Sequence, residues 1–128
     1  MKRSLVIVFS VVLLLFLVAC GGNKVDESTA EQYITKAETI INLLNESNYE
    51  EVYAMFSDEM KEGFPVVAME ELTPIIEGAG NFEKIDKASV EEEKGIYVTV
   101  NVAKYSHENR MYTISFNEDE EVVGLYIK

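Results

Sequence analysis

Few side chains in this 128-residue chain can do chemistry, and their settings restrict what chemistry that is. His107 is the single histidine, in Ser106-His107-Glu108-Asn109 between two stretches of alternating apolar residues. A general base needs an imidazole fixed in a pocket beside an orienting group, and a hairpin tip supplies neither. The expectation is a solvated turn residue, not a base, a pH switch or a metal ligand. Glu118-Asp119-Glu120-Glu121 and Glu91-Glu92-Glu93 concentrate carboxylates. A calcium loop needs oxygen ligands at alternating positions and a glycine at its sharp turn, and neither run has them. Both read as solvated hairpin ends. Cys20 is the single cysteine, so no intrachain disulfide can form, and its thiol follows directly on an apolar run.

That run defines the start of the chain. Lys2 and Arg3 precede Leu5 to Val18, which is apolar except for Ser10, and Leu17-Val18-Ala19-Cys20 closes it. Positive charge, then an apolar stretch, then small residues is the order of a secretory signal peptide. Fourteen residues fall short of the roughly 20 that a spanning helix needs. The closing Leu17-Val18-Ala19-Cys20 resembles the bacterial lipobox. The resemblance implies that the Cys20 thiol is alkylated with diacylglycerol and that a dedicated peptidase cuts between Ala19 and Cys20. Residues 1–19 are then a lipoprotein signal peptide. A thiol is required because a thioether must form and persist, and small neighbours let extended backbone enter the peptidase. Two fatty acyl chains such as palmitate hold stably where one would not.

Residues 20–28, with Gly21-Gly22-Asn23-Lys24 after the lipidated cysteine, are expected to be a polar tether reaching at most about 26–29 Å. The expected location is the outer face of the cytoplasmic membrane of a monoderm bacterium. No cofactor beyond the covalent diacylglycerol is expected.

The formal charge is −12, and it becomes −14 once the two cations Lys2 and Arg3 are removed. A body this acidic repels phosphate backbones, which argues against nucleic acid as a partner. The same charge opposes anionic headgroups, so attachment must come from the lipid.

Residues 29–128 are expected to form one domain. Ser28-Thr29-Ala30-Glu31 is a capping box, and Tyr33, Ile34, Ala37, Ile40, Ile41 and Leu44 follow at helical spacing, predicting a helix over 28–46. Asn48 with Glu51 opens a second, whose face is Tyr49, Val52, Tyr53, Phe56 and Met60. Pro65 suits the first turn of a third, through Leu72, and Pro74 bends or restarts it with Thr73 as N-cap. After Gly80 the period becomes two. A weakly patterned strand spans 82–91. Ile96, Val98, Val100 and Val102 then alternate with Tyr97, Thr99, Asn101 and Ala103, and two more strands follow through Tyr112-Ile114-Phe116 and Val123-Leu125-Ile127. Helices first and an antiparallel meander second predict an α+β fold with helices on one sheet face.

Asn48-Tyr49-Glu50-Glu51-Val52, Phe56-Ser57-Asp58-Glu59-Met60-Lys61, Gly80-Asn81-Phe82, Ile114-Ser115-Phe116-Asn117 and Val123-Gly124-Leu125-Tyr126-Ile127 together resemble domain of unknown function 3887. The likeness covers residues 33–128. It implies a cone-shaped, nuclear-transport-factor-2-like fold in a bacterial surface lipoprotein, and no catalytic residue. Enzymes on such cones pair Tyr with Asp between helix and sheet. Tyr33, Tyr53 and Tyr112 fall on predicted core faces, but every strand carboxylate lies near a turn or chain end. Core tyrosines with satisfied hydroxyls are the expectation, not an enzyme.

The sheet's far face is predicted to carry Tyr97, Thr99, Asn101, Ala103 and Tyr105, then Met111, Thr113 and Ser115, then Val122 and Tyr126. This mixture of aromatic, small polar and methionine residues is poor in charge and suits an interaction surface for a protein partner or a homodimer. The expected function is therefore a membrane-anchored, non-enzymatic binding module. The alternatives are a small ligand or weak enzymatic reaction in the cone pocket, and a passive spacer or assembly aid.

Overall fold

A computed structural model describes residues 23–128. The expected signal peptide and cleavage site, with Leu17-Val18-Ala19 and Cys20, lie outside the described residues. Among the described residues no helix is long and apolar enough to cross a membrane.

Helix α1 spans Glu27–Asn45 and turns Tyr33, Ala37, Ile40, Ile41 and Leu44 inward, the stripe expected from their spacing. Its start is earlier than the capping box predicts. Asp26 is the N-cap, its carboxylate accepting from Thr29 N at 3.3 Å and from Ser28 Oγ at 2.7 Å. The Ser28 hydroxyl, followed by Thr29, holds the Asp26 carboxyl below its ordinary range. The expected tether is also partly folded: Asn23–Lys24 form a short strand, β1, at the sheet edge.

The single helix expected from Asn48 to Met60 is broken into α2 (Tyr49–Ala54) and α3 (Asp58–Gly63). The main chain at Phe56 leaves the helix to bridge a strand: Ser57 N donates to Val122 O at 3.0 Å, and Val122 N donates to Met55 O at 2.9 Å. Ser57 then caps α3 by accepting from Met60 N at 3.2 Å. Periodicity continues across the break because Phe56 and Met60 still face the core. Pro65 precedes α4 (Val66–Met69), a 3-10 turn covers Glu70–Leu72, and α5 (Thr73–Glu77) carries Pro74 in its first turn. Leu72, not Thr73, is the N-cap of α5, and the Thr73 hydroxyl hydrogen-bonds that of Tyr49 instead.

Strands β2 (Phe82–Glu93), β3 (Ile96–Tyr105), β4 (Asn109–Phe116) and β5 (Val122–Ile127) form an antiparallel meander in the order β1-β2-β3-β4-β5. The helices cover one face, so the fold is α+β as expected. Lys94 (φ 53°) and Gly95 (φ 82°) make the two-residue left-handed turn that matches the twist of β2 and β3. Gly80 (φ 99°) lies so close to the β3–β4 turn that a Cβ would collide with Ser106 Oγ.

One expectation is reversed. Thr99, Asn101, Ala103 and Tyr105 are buried beneath the helices, while Val98, Val100 and Val102 lie on the uncovered face. Val122, expected outside, is buried against the helical side. Directly opposed residues share a sheet face, and Asn101 lies opposite Tyr112 and Thr99 opposite Ile114, both core residues. The four residues between the paired Lys104 and Asn109 fix that register, and a one-residue change would exchange the faces.

Candidate functional site

The covered side contains most of the buried polar chemistry. Thr99 and Asn101 are each 0% exposed. Thr99 Oγ1 donates to Ile114 O at 2.8 Å, and Asn101 Nδ2 donates to Thr99 Oγ1 at 3.1 Å and to Tyr112 O at 3.3 Å. Deeper along the sheet, Tyr105 Oη donates to Asn45 Oδ1 at 2.7 Å and lies 2.5 Å from Tyr112 Oη. Burial pushes both phenols above their ordinary pKa, and at Tyr112 the bond to Tyr105 adds to the rise. Asn45 Nδ2 and Asn101 Oδ1 are buried without a hydrogen-bond partner. Among the described residues no carboxylate or imidazole is buried with them, so the chemistry this interior offers is hydrogen bonding.

The other residues singled out by type are separated from this interior. Tyr33 and Tyr112 are buried and Tyr53 is half-buried, as their spacing predicted. Tyr33 stacks on Tyr97 with ring centroids 4.3 Å apart, which places Tyr97 on the covered side. His107 is exposed, and its amide donates to Ala79 O at 2.9 Å, which ties the turn to the end of the helical half. In the acidic turn, Asn117 Oδ1 accepts from Asp119 N at 3.0 Å and Glu121 N at 2.9 Å, and Glu120 accepts from Gln32 Nε2 at 2.6 Å. Among the described residues no group of three or more His, Cys, Asp and Glu is placed to hold a metal ion. An open cleft of about 230 Å³ lies between the α1–α2 turn and α4, lined by Ser47, Asn48, Tyr49, Glu50, Val66 and Glu70. It is below the usual size for a small-molecule site.

The uncovered face has the opposite character. Cross-strand pairing sets Val102 beside Met111, Val100 beside Thr113 and Val98 beside Ser115, with Tyr126 opposite Thr113 and Gly124 opposite Ser115. Tyr126 is 63% exposed and Met111 41%. Of the six residues predicted for an interaction face, Met111 and Tyr126 are there. Tyr97, Thr99, Asn101 and Tyr105 are on the covered side. The face gains Val98, Val100 and Val102, which apolarity alone had assigned to the core. A sequence signal for them existed. Four residues, 106–109, were expected in the turn, and an even loop of that length already puts Val102 on one face with Met111 and Thr113.

No curated protein and no solved structure matches the chain. A family match does exist, and its limits follow the fold: it opens midway along α1 and closes in β5, taking in the helices, the buried Tyr105–Tyr112 pair and the valine strand. On that match, over residues 37–125, the chain belongs to the family described as "Protein of unknown function (DUF3887)".

Proposed function

We propose that this protein is an exported lipoprotein, anchored through diacylglycerol on Cys20 at the outer face of the cytoplasmic membrane, and that its body is a non-enzymatic binding module. The observation that carries the binding half is the helix-free sheet face of Val98, Val100, Val102, Met111 and Tyr126. An antiparallel sheet with one wet side normally alternates apolar inward and polar outward. Here the uncovered side of β3 carries Val98, Val100 and Val102 before ending in Lys104, while the covered side mixes Thr99 and Asn101 with Tyr97, Ala103 and Tyr105. The uncovered valine run favours a surface made to be covered. The anchoring half is supported by the order of Lys2-Arg3, the apolar run and Leu17-Val18-Ala19-Cys20.

Two measurements test the reading. Mass spectrometry of protein purified from native membranes should find Cys20 as the first residue, carrying diacylglycerol. Residues 1–19 still attached, or a free thiol, would reject the anchor. A photo-crosslinking amino acid at Tyr126 should form adducts in native membranes, and one at Val67, which is 78% exposed on the helical side, should not. Equal labelling would reject the face.

A second reading, a small polar ligand between helices and sheet, draws on the unpartnered Asn45 Nδ2 and Asn101 Oδ1. It predicts a small molecule that co-purifies in native mass spectrometry and is lost in Asn101→Leu.

A further inference from the structure

We propose that the uncovered sheet face seats the domain directly on the anionic outer leaflet, with Tyr126 and Met111 at the boundary between headgroups and acyl chains. This deepens the reading above and rests on its lipid anchor.

The chain is strongly acidic overall, but the pairing register gathers Lys24, Lys84, Lys87, Lys104 and Lys128 around the valine strand. Lys84 lies directly opposite Lys104, Lys87 opposite Val102, and Lys24 opposite Glu91. Lys128 exchanges two backbone hydrogen bonds of 2.9 Å with Met111, which sets it on the same face. The carboxylates among them are Glu91 and Glu93, at the β2–β3 hairpin end, Asp86, exposed in the bulge beside Lys87, and Glu83, ion-paired to Lys104 at 3.8 Å. Five lysines against four carboxylates leave this face slightly cationic, in contrast to the strongly anionic body.

Like charges directly opposed on a sheet destabilise it, so the Lys84–Lys104 pair gains from an external anion. The helical layer lies on the other side of the sheet, about 10 Å away, whereas the Debye length in physiological salt is about 8 Å. Salt thus weakens, without removing, the repulsion that this layer's carboxylates exert on an anion at the far face. Lysine stems can lie along apolar surface with their ammonium groups among headgroups, and tyrosine suits the same boundary.

Reach and charge select the occupant. Only Gly21 and Gly22 separate Cys20 from β1, at most about 10 Å of extended chain, and β1 borders this face through Lys24. The bilayer is therefore within reach of the anchored face. A second copy of the chain would bring a face with the same slight excess of lysine over carboxylate, whereas an anionic leaflet offers only the opposite charge.

The chain has no tryptophan, so one indole can report position. Full-length lipidated protein carrying Tyr126→Trp or Val67→Trp is reconstituted into vesicles of phosphatidylcholine alone or with one-third phosphatidylglycerol, each containing brominated acyl chains. Fluorescence at Tyr126→Trp should be quenched strongly in the anionic vesicles and weakly in the neutral ones, with little quenching at Val67→Trp. Adding Lys84→Gln and Lys128→Gln should lower the seated-to-free ratio roughly fivefold for each lysine removed. Equal quenching at both sites, or none at Tyr126→Trp, overturns the proposal. So does an indole shielded from aqueous quencher but not reached by bromine, whether sedimentation then assigns its cover to a second copy or to another protein. Mass spectrometry of the same preparation keeps the two readings apart. Lipidated protein without the contrast removes only the seating, and the contrast on a lipid-free chain removes only the anchor.

Discussion

On the two sides of β3, the same alternating strand meets two different solvents. Its covered side presents Thr99 and Asn101 to the helices, and each is retained by hydrogen bonds to the neighbouring strand. Its uncovered side presents Val98, Val100 and Val102, half-buried by flanking residues and by no helix. Polarity is therefore a poor guide to side in this sheet. A buried hydroxyl or amide costs little when its partners are built in, and a valine outside costs little when nothing better is available or when something covers it.

The largest effect should separate the faces by packing. Phe116→Ala empties a fully buried position and should cost about 3–5 kcal/mol in denaturant unfolding, whereas Met111→Ala on the uncovered side should cost under about 1 kcal/mol. Comparable losses would mean that the uncovered side is core.

Alkaline pH should find the covered side next. The Tyr105 and Tyr112 phenols hold their protons more tightly folded than unfolded, because burial opposes the anion. Their contribution is complete below pH about 10 and falls as pH rises above it, by about 1.4 kcal/mol per pH unit for each phenol that ionises only on unfolding. Stability measured from pH 9 to 11 should fall more steeply in the parent than in Tyr112→Phe, and equal slopes would show that Tyr112 is not shielded.

A paired exchange on adjacent residues gives the smaller effects and the sharpest contrast. Thr99→Val removes the donor to Ile114 O and should destabilise by about 1–2 kcal/mol, although it makes the interior more apolar. Val100→Thr, one residue along, should change unfolding free energy by no more than about 0.5 kcal/mol. The opposite ranking would reverse the assignment of the faces.

Much of the helical half was legible because a 3.6-residue period identifies both the element and its buried stripe, as in Tyr33, Ala37, Ile40, Ile41 and Leu44. The break at Phe56 was not, since a departure made to pair with Val122 some 66 residues later leaves the local period intact. The helix start was missed by one residue because Asp26, outside the capping box, reaches the first amides. Of the interaction face, Met111 and Tyr126 were legible because β4 and β5 carry their large apolar residues inward. The β3 positions were misread because valine was equated with core.

The sequence by itself determined the order of helices and strands, the hairpin turns, and the address-like pattern ending at Cys20, since all of these depend on neighbours in the chain. Only the tertiary structure decided which side of β3 faces the helices and that lysines from three strands and the chain end meet on one surface. A strand's period of two says that its faces differ, and only the register with its partners says which face is which.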